Sequence, residues 1–183
     1  GIGVMGPEGR GLVDPSCFTT ADVPLLVGTF GKALGTSGAF VAGERDVIEM
    51  LVQRARQYIY TTALPSALAA ATLASLAIVR GAAAERARLA ELIARFRDGA
   101  QAAGIPLTDS GTPIQPVVVG ESERALALSS ALEAHGILVT AIRPPTVPAG
   151  TARLRITMTA AHTEAHVDRL VAVLGQIWDM DFS

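Results

Sequence analysis

The sequence predicts an α/β protein built from two regions, and three observations indicate this. Residues 24–43 contain two short apolar segments separated by a glycine-rich loop, and helical spacing of apolar residues follows from Glu44. Alanine is the most frequent residue, which favours closely packed helices. After two helices flanking Gly81, the pattern becomes strand, helix, strand, strand, helix. We therefore predict the end of a large domain at residues 1–80 and a small α+β domain at residues 81–183.

Composition narrows the function classes. The 183 residues are 50% hydrophobic and 17% charged, which is typical of a chain that buries a core. The net charge of -2 gives no general attraction for nucleic acids or for anionic membranes. No apolar stretch approaches the roughly 18 residues of a membrane span. With one cysteine, no internal disulfide can form, so we expect a cytoplasmic protein.

The first region is predicted to consist of turns, two short strands, an extended segment and a helix. Residues 1–16 are glycine-rich and should form turns. Residues 24–30 predict a short buried strand, and residues 37–43 predict a second strand. The β-branched and aromatic residues 58–62 favour an extended segment. A helix that starts at Pro65 is apolar almost all round, so we expect it to be buried between layers.

The second region begins with an amphipathic helix at about residues 82–103, which Gly104 ends. Strands are predicted at residues 114–119 and 137–142, with a helix between them that Ser122 caps and Gly136 ends. The apolar stripe of the first helix consists of Leu89, Leu92, Ile93, Phe96 and Ala100.

The last strand and helix follow a proline-rich turn at residues 144–150. The strand is predicted at residues 152–158, where alternation places Arg153 and Arg155 on one face. Thr163 should cap the final helix. The residues of that helix expected to face inward are Val167, Leu170, Val171, Leu174 and Trp178.

Lys32 is the first candidate for chemistry because it is the only lysine among 15 basic residues. Arginine can replace a solvated lysine, but it cannot lose its proton and act as an amine nucleophile. Lys32 also follows a predicted strand directly, where open α/β sheets place ligands. Hydroxyl groups of Thr29 and Ser37 and three glycines surround it in sequence. A solvated surface lysine is the alternative interpretation.

Other motifs give weaker evidence of a functional site than Lys32 does. Residues 1–6 match the spacing of a dinucleotide-binding fingerprint, but neither the preceding strand nor the following helix is visible. The segment around Lys32 is not a phosphate-binding Walker loop, because Leu26 stands where the first glycine should be and Ala33 replaces the hydroxyl residue after the lysine. His162 and His166 are four residues apart, yet no third metal ligand is evident. Cys17 is expected to fill apolar space.

Four separated motifs resemble one family. Residues 29–38 (TFGKALGTSG) are similar to the cofactor-lysine motif of the α-oxoamine synthases, which are pyridoxal-phosphate (PLP) enzymes of the aspartate-aminotransferase fold. Residues 1–11 (GIGVMGPEGRG) and residues 58–65 (YIYTTALP) resemble further segments of that family. Residues 141–148 (AIRPPTVP) with residues 150–155 (GTARLR) resemble the branch that acts in biotin synthesis. The resemblance covers essentially the whole chain.

This resemblance implies a fold, a cofactor and a set of roles. The chain would be the end of a large, mostly parallel PLP-binding domain of fold type I, followed by the small domain. Lys32 would bind PLP as a Schiff base and act as the general base, and Thr29 would hydrogen-bond at the cofactor. Thr62 would reach the phosphate of the neighbouring subunit's cofactor in a homodimer. Arg155 would bind the amino-acid carboxylate, and Thr146 would touch substrate.

The implied reaction is an acyl transfer in which L-alanine condenses with a pimeloyl thioester and loses CO2. The acyl carrier would be coenzyme A or an acyl-carrier protein, and no metal is implied. The family's aspartate that pairs with the pyridine nitrogen lies before residue 1, so the chain alone is expected to be inactive. Two alternatives stay open: a glycine-using synthase of the same family, and a non-catalytic dimerisation or binding module.

Overall fold

The computed structural model describes residues 1–180, and the chain divides into two units between Ala83 and Ala84. The sequence pattern placed the domain boundary at Gly81. Both β-ladders in residues 1–180 are antiparallel, so the mostly parallel sheet implied for the large domain does not lie within them. No single described helix is long and apolar enough to cross a membrane.

The first unit is a β-hairpin with helices after it. Glycine-rich turns and a short 3-10 helix at Pro7–Gly9 precede strand β1 (Leu25–Thr29), which pairs antiparallel with β2 (Ala39–Gly43). Helices α1 (Arg45–Arg54) and α2 (Arg56–Ile59) follow the hairpin. The nine residues between Thr29 and Ala39 form the loop that carries Lys32.

Three expectations for this unit are wrong. Strand β1 is mostly exposed rather than buried, with Val27 at 65% exposure, because no layer of the described chain covers it. Helix α3 (Ser66–Gly81) has no buried residue, and its Ile78 is 72% exposed. Cys17 is exposed and fills no apolar space.

The prediction of an extended segment at residues 58–62 is also wrong. Tyr58 and Ile59 end helix α2, Tyr60 lies in a turn, and the backbone is irregular from Thr62 to Pro65. Arg56 Cζ lies 5.5 Å from the centroid of the Tyr60 ring, because one helical turn brings these two side chains together. Local packing therefore overrides the β-preference of these residues.

The second unit is a three-stranded sheet packed with helices. Helix α4 (Ala83–Ala102) leads to β3 (Ile114–Gly120), α5 (Ser122–Ala134) and β4 (Thr140–Ile142). Strand β5 (Ala152–Thr157) and helix α6 (Glu164–Trp178) complete the unit. The strand order is β3-β5-β4, so β5 is the central strand and is antiparallel to both neighbours.

The core of this unit is formed by the apolar faces of its helices and sheet. The stripe of α4 is buried as predicted, and Gly104 ends the helix with a left-handed φ of 72°. Leu154 and Ile156 of β5 are buried, whereas Arg155 between them is exposed. The alternation predicted for this strand is confirmed.

The start of helix α6 agrees with the prediction, whereas two of the residues expected to face inward are only half-buried. Helix α6 (Glu164–Trp178) begins at a capping box in which Thr163 Oγ1 accepts from the His166 backbone and His166 Nδ1 accepts from the Thr163 backbone. Val173 and Ile177 are buried in place of the expected Val171 and Trp178, which are half-buried.

The helix between the first two strands of this sheet begins differently from the prediction. Ser122 is the first residue of α5, its N-cap position is occupied by Glu121, and no side chain caps it. Strand β4 starts three residues later than expected, because residues 137–139 lie outside the ladder.

Among the described residues of the second unit, one polar side chain is buried, and its hydrogen bonds are satisfied. Gln115 is 1% exposed and donates through Nε2 to the carbonyls of Ser110 and Thr112. Arg97 of α4 donates to Gln115 Oε1 at 2.9 Å and to the carbonyls of Thr108 and Ser110. This network attaches the loop before β3 to α4 without leaving a buried polar atom unpaired.

Candidate active site

The loop that carries Lys32 is closed by its own backbone. Phe30 N–H donates to Gly38 O at 2.9 Å, and Thr36 N–H donates to Phe30 O at 3.0 Å. Gly35, with a left-handed φ of 62°, donates its N–H to Lys32 O at 2.9 Å. L-amino acids, which carry a Cβ, rarely adopt this conformation, so the achiral glycine allows the tight turn after Lys32.

Lys32 and Thr29, two of the residues singled out in the sequence, lie within hydrogen-bond distance of each other. Lys32 Nζ donates to Thr29 Oγ1 at 3.1 Å, and both residues are exposed. Lys32 forms no ion pair with a carboxylate of residues 1–180. The result is a primary amine held by a neutral hydroxyl and accessible to solvent.

Thr62 lies in the irregular segment before α3 and is exposed. Leu64 of this segment lies close to the lysine loop, since a Cβ built on Gly38 would be 3.7 Å from its methyl groups. The first unit therefore brings the segment of Thr62 to the end of the loop that carries Lys32.

In the second unit, Arg155 and Thr146 lie on exposed positions. Arg155 occupies the central strand, where its direct neighbours are Pro116 of β3 and Thr140 of β4. Neither neighbour carries a charge, and Arg155 forms no ion pair within residues 1–180. Its guanidinium is therefore available to bind an anion such as a carboxylate.

The turn that carries Thr146 is ordered by hydrogen bonds at both ends. Thr146 N–H donates to Arg143 O at 3.0 Å, and Thr151 Oγ1 donates to Pro148 O at 2.8 Å. Arg153 is half-buried and donates through Nε to Thr151 O, which ties it to the start of its own strand. This contact gives Arg153 a structural role.

The two histidines have partners that explain them without a metal. His162 Nδ1 accepts from Thr159 N–H at 3.2 Å, and His166 Nδ1 belongs to the capping box of α6. The sequence did not reveal two further residues near Lys32. Thr72 and Ser75 of α3 contact its loop from 36 and 41 residues away in the chain, and no local motif signals such contacts.

Comparison with known proteins defines the class. The sequence profile of the family Aminotransferase class I and II matches residues 3–174. The chain therefore belongs to the aminotransferase class I and II family.

Within that family, the chain is similar to proteins named 8-amino-7-oxononanoate synthase. It is 60% identical to the one from Marinobacter nauticus over 96% of its own length and 45% of the relative's, and 60% identical to that of Nitrosococcus oceani over 97% and 47%. The chain thus spans about half the length of these relatives.

Solved structures give the same fold. The crystal structure of 8-amino-7-oxononanoate synthase from Francisella tularensis is 30% identical with a TM-score of 0.86, and 96% of this chain matches 51% of that one. Serine palmitoyltransferase from Sphingomonas wittichii is 31% identical with a TM-score of 0.88, over 96% and 44%. Another neighbour is a structure of SPT with a PLP internal aldimine.

Proposed function

We propose that the protein containing this chain is a cytoplasmic, PLP-dependent acyltransferase of biotin biosynthesis. It condenses L-alanine with a pimeloyl thioester of coenzyme A or of an acyl-carrier protein. The products are 8-amino-7-oxononanoate, CO2 and the free thiol of the carrier. Relatives at 60% identity support the reaction, and the pairing of the single lysine with Thr29 at 3.1 Å carries the assignment of the site.

The residues around Lys32 fit PLP. A primary amine reacts with the cofactor's aldehyde, and this amine is exposed, unpaired with any described carboxylate and held by a neutral hydroxyl. The turn beside it is open, because a Cβ built on Gly35 would meet no atom within 4 Å. The loop therefore leaves space beside Gly35.

PLP, when bound, supplies an electron sink for negative charge at the α-carbon of the amino acid. Lys32 Nζ would hold the cofactor through its amine and, as the general base, would accept the proton from the α-carbon of the amino acid. Thr29 Oγ1 keeps the amine in position before the amino acid arrives and hydrogen-bonds at the cofactor afterwards.

Arg155 binds the carboxylate of alanine. A guanidinium offers two parallel N–H donors to a carboxylate, and the uncharged neighbours of Arg155 in the sheet leave it free of competing acids. Thr146 contacts substrate from the proline-rich turn. Thr62 reaches the phosphate of the cofactor in the partner subunit, so the working form is a homodimer with shared sites.

The first experiment locates the cofactor. The natural protein, meaning the full-length protein that contains this chain, is reduced with borohydride in the presence of PLP and its peptides are mapped. The label should lie on Lys32 and nowhere else. A label on another residue, or no label, contradicts the proposal.

The second experiment identifies the substrates. Turnover by the natural protein is compared for alanine and glycine, each with pimeloyl and acetyl thioesters. We expect alanine with the pimeloyl thioester to be preferred. A preference for glycine would assign a glycine-using synthase, and no turnover in any combination would assign a non-catalytic module. The fold does not make this choice, since TM-scores to the synthase and to serine palmitoyltransferase are 0.86 and 0.88.

A further inference from the structure

Two hydroxyl groups of α3 hold the loop that carries Lys32. Ser75 Oγ donates to Leu34 O at 2.6 Å. Thr72 Oγ1 donates to Leu68 O at 2.8 Å within its own helix and lies 2.8 Å from Thr36 Oγ1. Because a hydroxyl has one proton, Thr36 donates to Thr72 when Thr72 donates to Leu68. The loop is thus tied to α3 at residues 34 and 36.

These contacts lie on the one face of α3 that the first unit covers. The half-buried residues of the helix are Leu68, Thr72, Ser75 and Val79, whose spacing of four, three and four places them on a single stripe. The rest of this apolar helix is exposed. The covered face thus uses hydroxyl groups at two of its four positions, directly against the lysine loop.

The other side of the loop is fixed by a close approach of backbone. A Cβ built on Gly3 would lie 2.7 Å from the Cβ of Ala33, so only glycine fits at position 3 without a shift. Leu34 is 6% exposed and is the buried hydrophobic residue of this unit. Residues 33, 34 and 36 are therefore each held, and Lys32 is attached directly to this fixed segment.

We propose that Thr72 and Ser75 are positioning residues that set the direction of Lys32 toward Thr29 and the cofactor. The cofactor part of this inference rests on the proposed function. Neither residue touches the amine, and both act through the backbone of residues 34–36. Without them, the loop would keep its internal turn but lose its attachment to the helix, and the amine would sample more orientations.

The test uses the natural protein with the double substitution Thr72→Val and Ser75→Ala, which keeps side-chain shape at position 72 and removes both hydroxyls. Hydrogen exchange of the amides of residues 34–36 is measured without cofactor, and the rate at which the visible band of bound PLP appears is measured separately. We expect about 5-fold faster exchange and about 5-fold slower binding, the effect of one or two hydrogen bonds.

Two control variants separate positioning from general damage. Ser66→Ala removes an exposed hydroxyl from the first residue of the same helix and should behave like the parent. Thr72→Ser with Ser75→Thr keeps both hydroxyls and should restore most of the binding rate. If the double substitution prevents folding, Ser75→Ala alone, with thermal denaturation as a check, provides the same comparison.

The outcomes distinguish this inference from the proposed function. Unchanged exchange, or faster exchange with unchanged PLP binding, overturns the positioning role while the proposed function stands. Failure of the hydroxyl-keeping variant to restore binding also overturns it. Absence of the PLP band in the parent overturns the proposed function and the cofactor part of the inference, and the exchange data then decide only whether the hydroxyls hold the loop.

Discussion

The unit that carries Lys32 and the unit that begins at Ala84 are stabilised in different ways. Among the residues described, Leu34 is the buried hydrophobic side chain of the first unit, while all the other buried hydrophobic residues lie in the second. The first unit instead fixes its loop with hydrogen bonds and left-handed glycines. The lysine proposed to carry the covalent chemistry therefore lies in the unit with the smaller core, so substitutions in the two units should have different consequences.

The largest effect is expected for the lysine itself. Lys32→Ala should lower kcat of the natural protein by roughly 1,000-fold or more, since it removes the amine proposed as both the covalent attachment and the base. Lys32→Arg keeps the charge but cannot form the attachment, so it should be equally inactive. Thermal unfolding without cofactor should stay within about 1 °C of the parent, because an exposed side chain contributes little to stability. Activity close to the parent in either variant would contradict the assignment.

The second prediction concerns the core. Phe96 is 0% exposed, so Phe96→Ala should lower the free energy of unfolding by about 3–5 kcal/mol. Leu73→Ala in α3 is the matched control, since Leu73 is 69% exposed, and it should change the value by less than about 0.5 kcal/mol. Denaturant titration measures both. Equal losses in the two variants would show that α3 is covered in solution and would remove the contrast between the units.

This contrast also explains which elements could be predicted. The stripe of α4 was predicted residue by residue, because its partners lie in the same unit and polar residues mark its outer face. The pattern of α3 gave its limits but not its exposure, since an apolar sequence does not say what covers it. Local preferences also failed at α2, where a four-residue helix replaces an extended segment.

The candidate site was predictable to the extent that it is local. Lys32 and Thr29 are three residues apart, so one motif contains the pair. Thr72 and Ser75 reach the loop only after the chain has folded back, and hydroxyl residues in an alanine-rich helix have no distinctive pattern. Long-range hydrogen bonds of this kind need coordinates.

A third prediction tests how the first unit holds its loop. Gly3→Ala places a methyl group 2.7 Å from the Cβ of Ala33 at a φ of 93°, so it should cost about 1–3 kcal/mol and displace the lysine loop. Gly81→Ala is the control, because a Cβ there meets no atom within 4 Å and the residue ends a helix. That variant should be neutral or slightly more stable. Denaturant titration with hydrogen exchange of residues 33–36 reads both effects, and a neutral Gly3→Ala would show that the loop is not confined there.

The smallest effect is expected at the surface of the second unit. Arg95 donates two hydrogen bonds to Asp168, at 2.6 and 2.8 Å, and these lower the pKa of that carboxyl below its ordinary 3.8. A lowered folded-state pKa means that the carboxylate stabilises the fold above pH 3.8 and that this contribution is lost as pH falls through the folded-state pKa.

Asp168→Asn should therefore lower the thermal midpoint at pH 7 by only about 1–3 °C, because the pair is exposed and screened by solvent and salt. The difference should vanish in strong acid, and Asp109→Asn, which removes an exposed carboxylate without an ion pair among the described residues, should leave the thermal midpoint at pH 7 within about 1 °C of the parent. A pH-independent loss in Asp168→Asn would mean that packing, and not the charge of Asp168, supports this contact between α4 and α6.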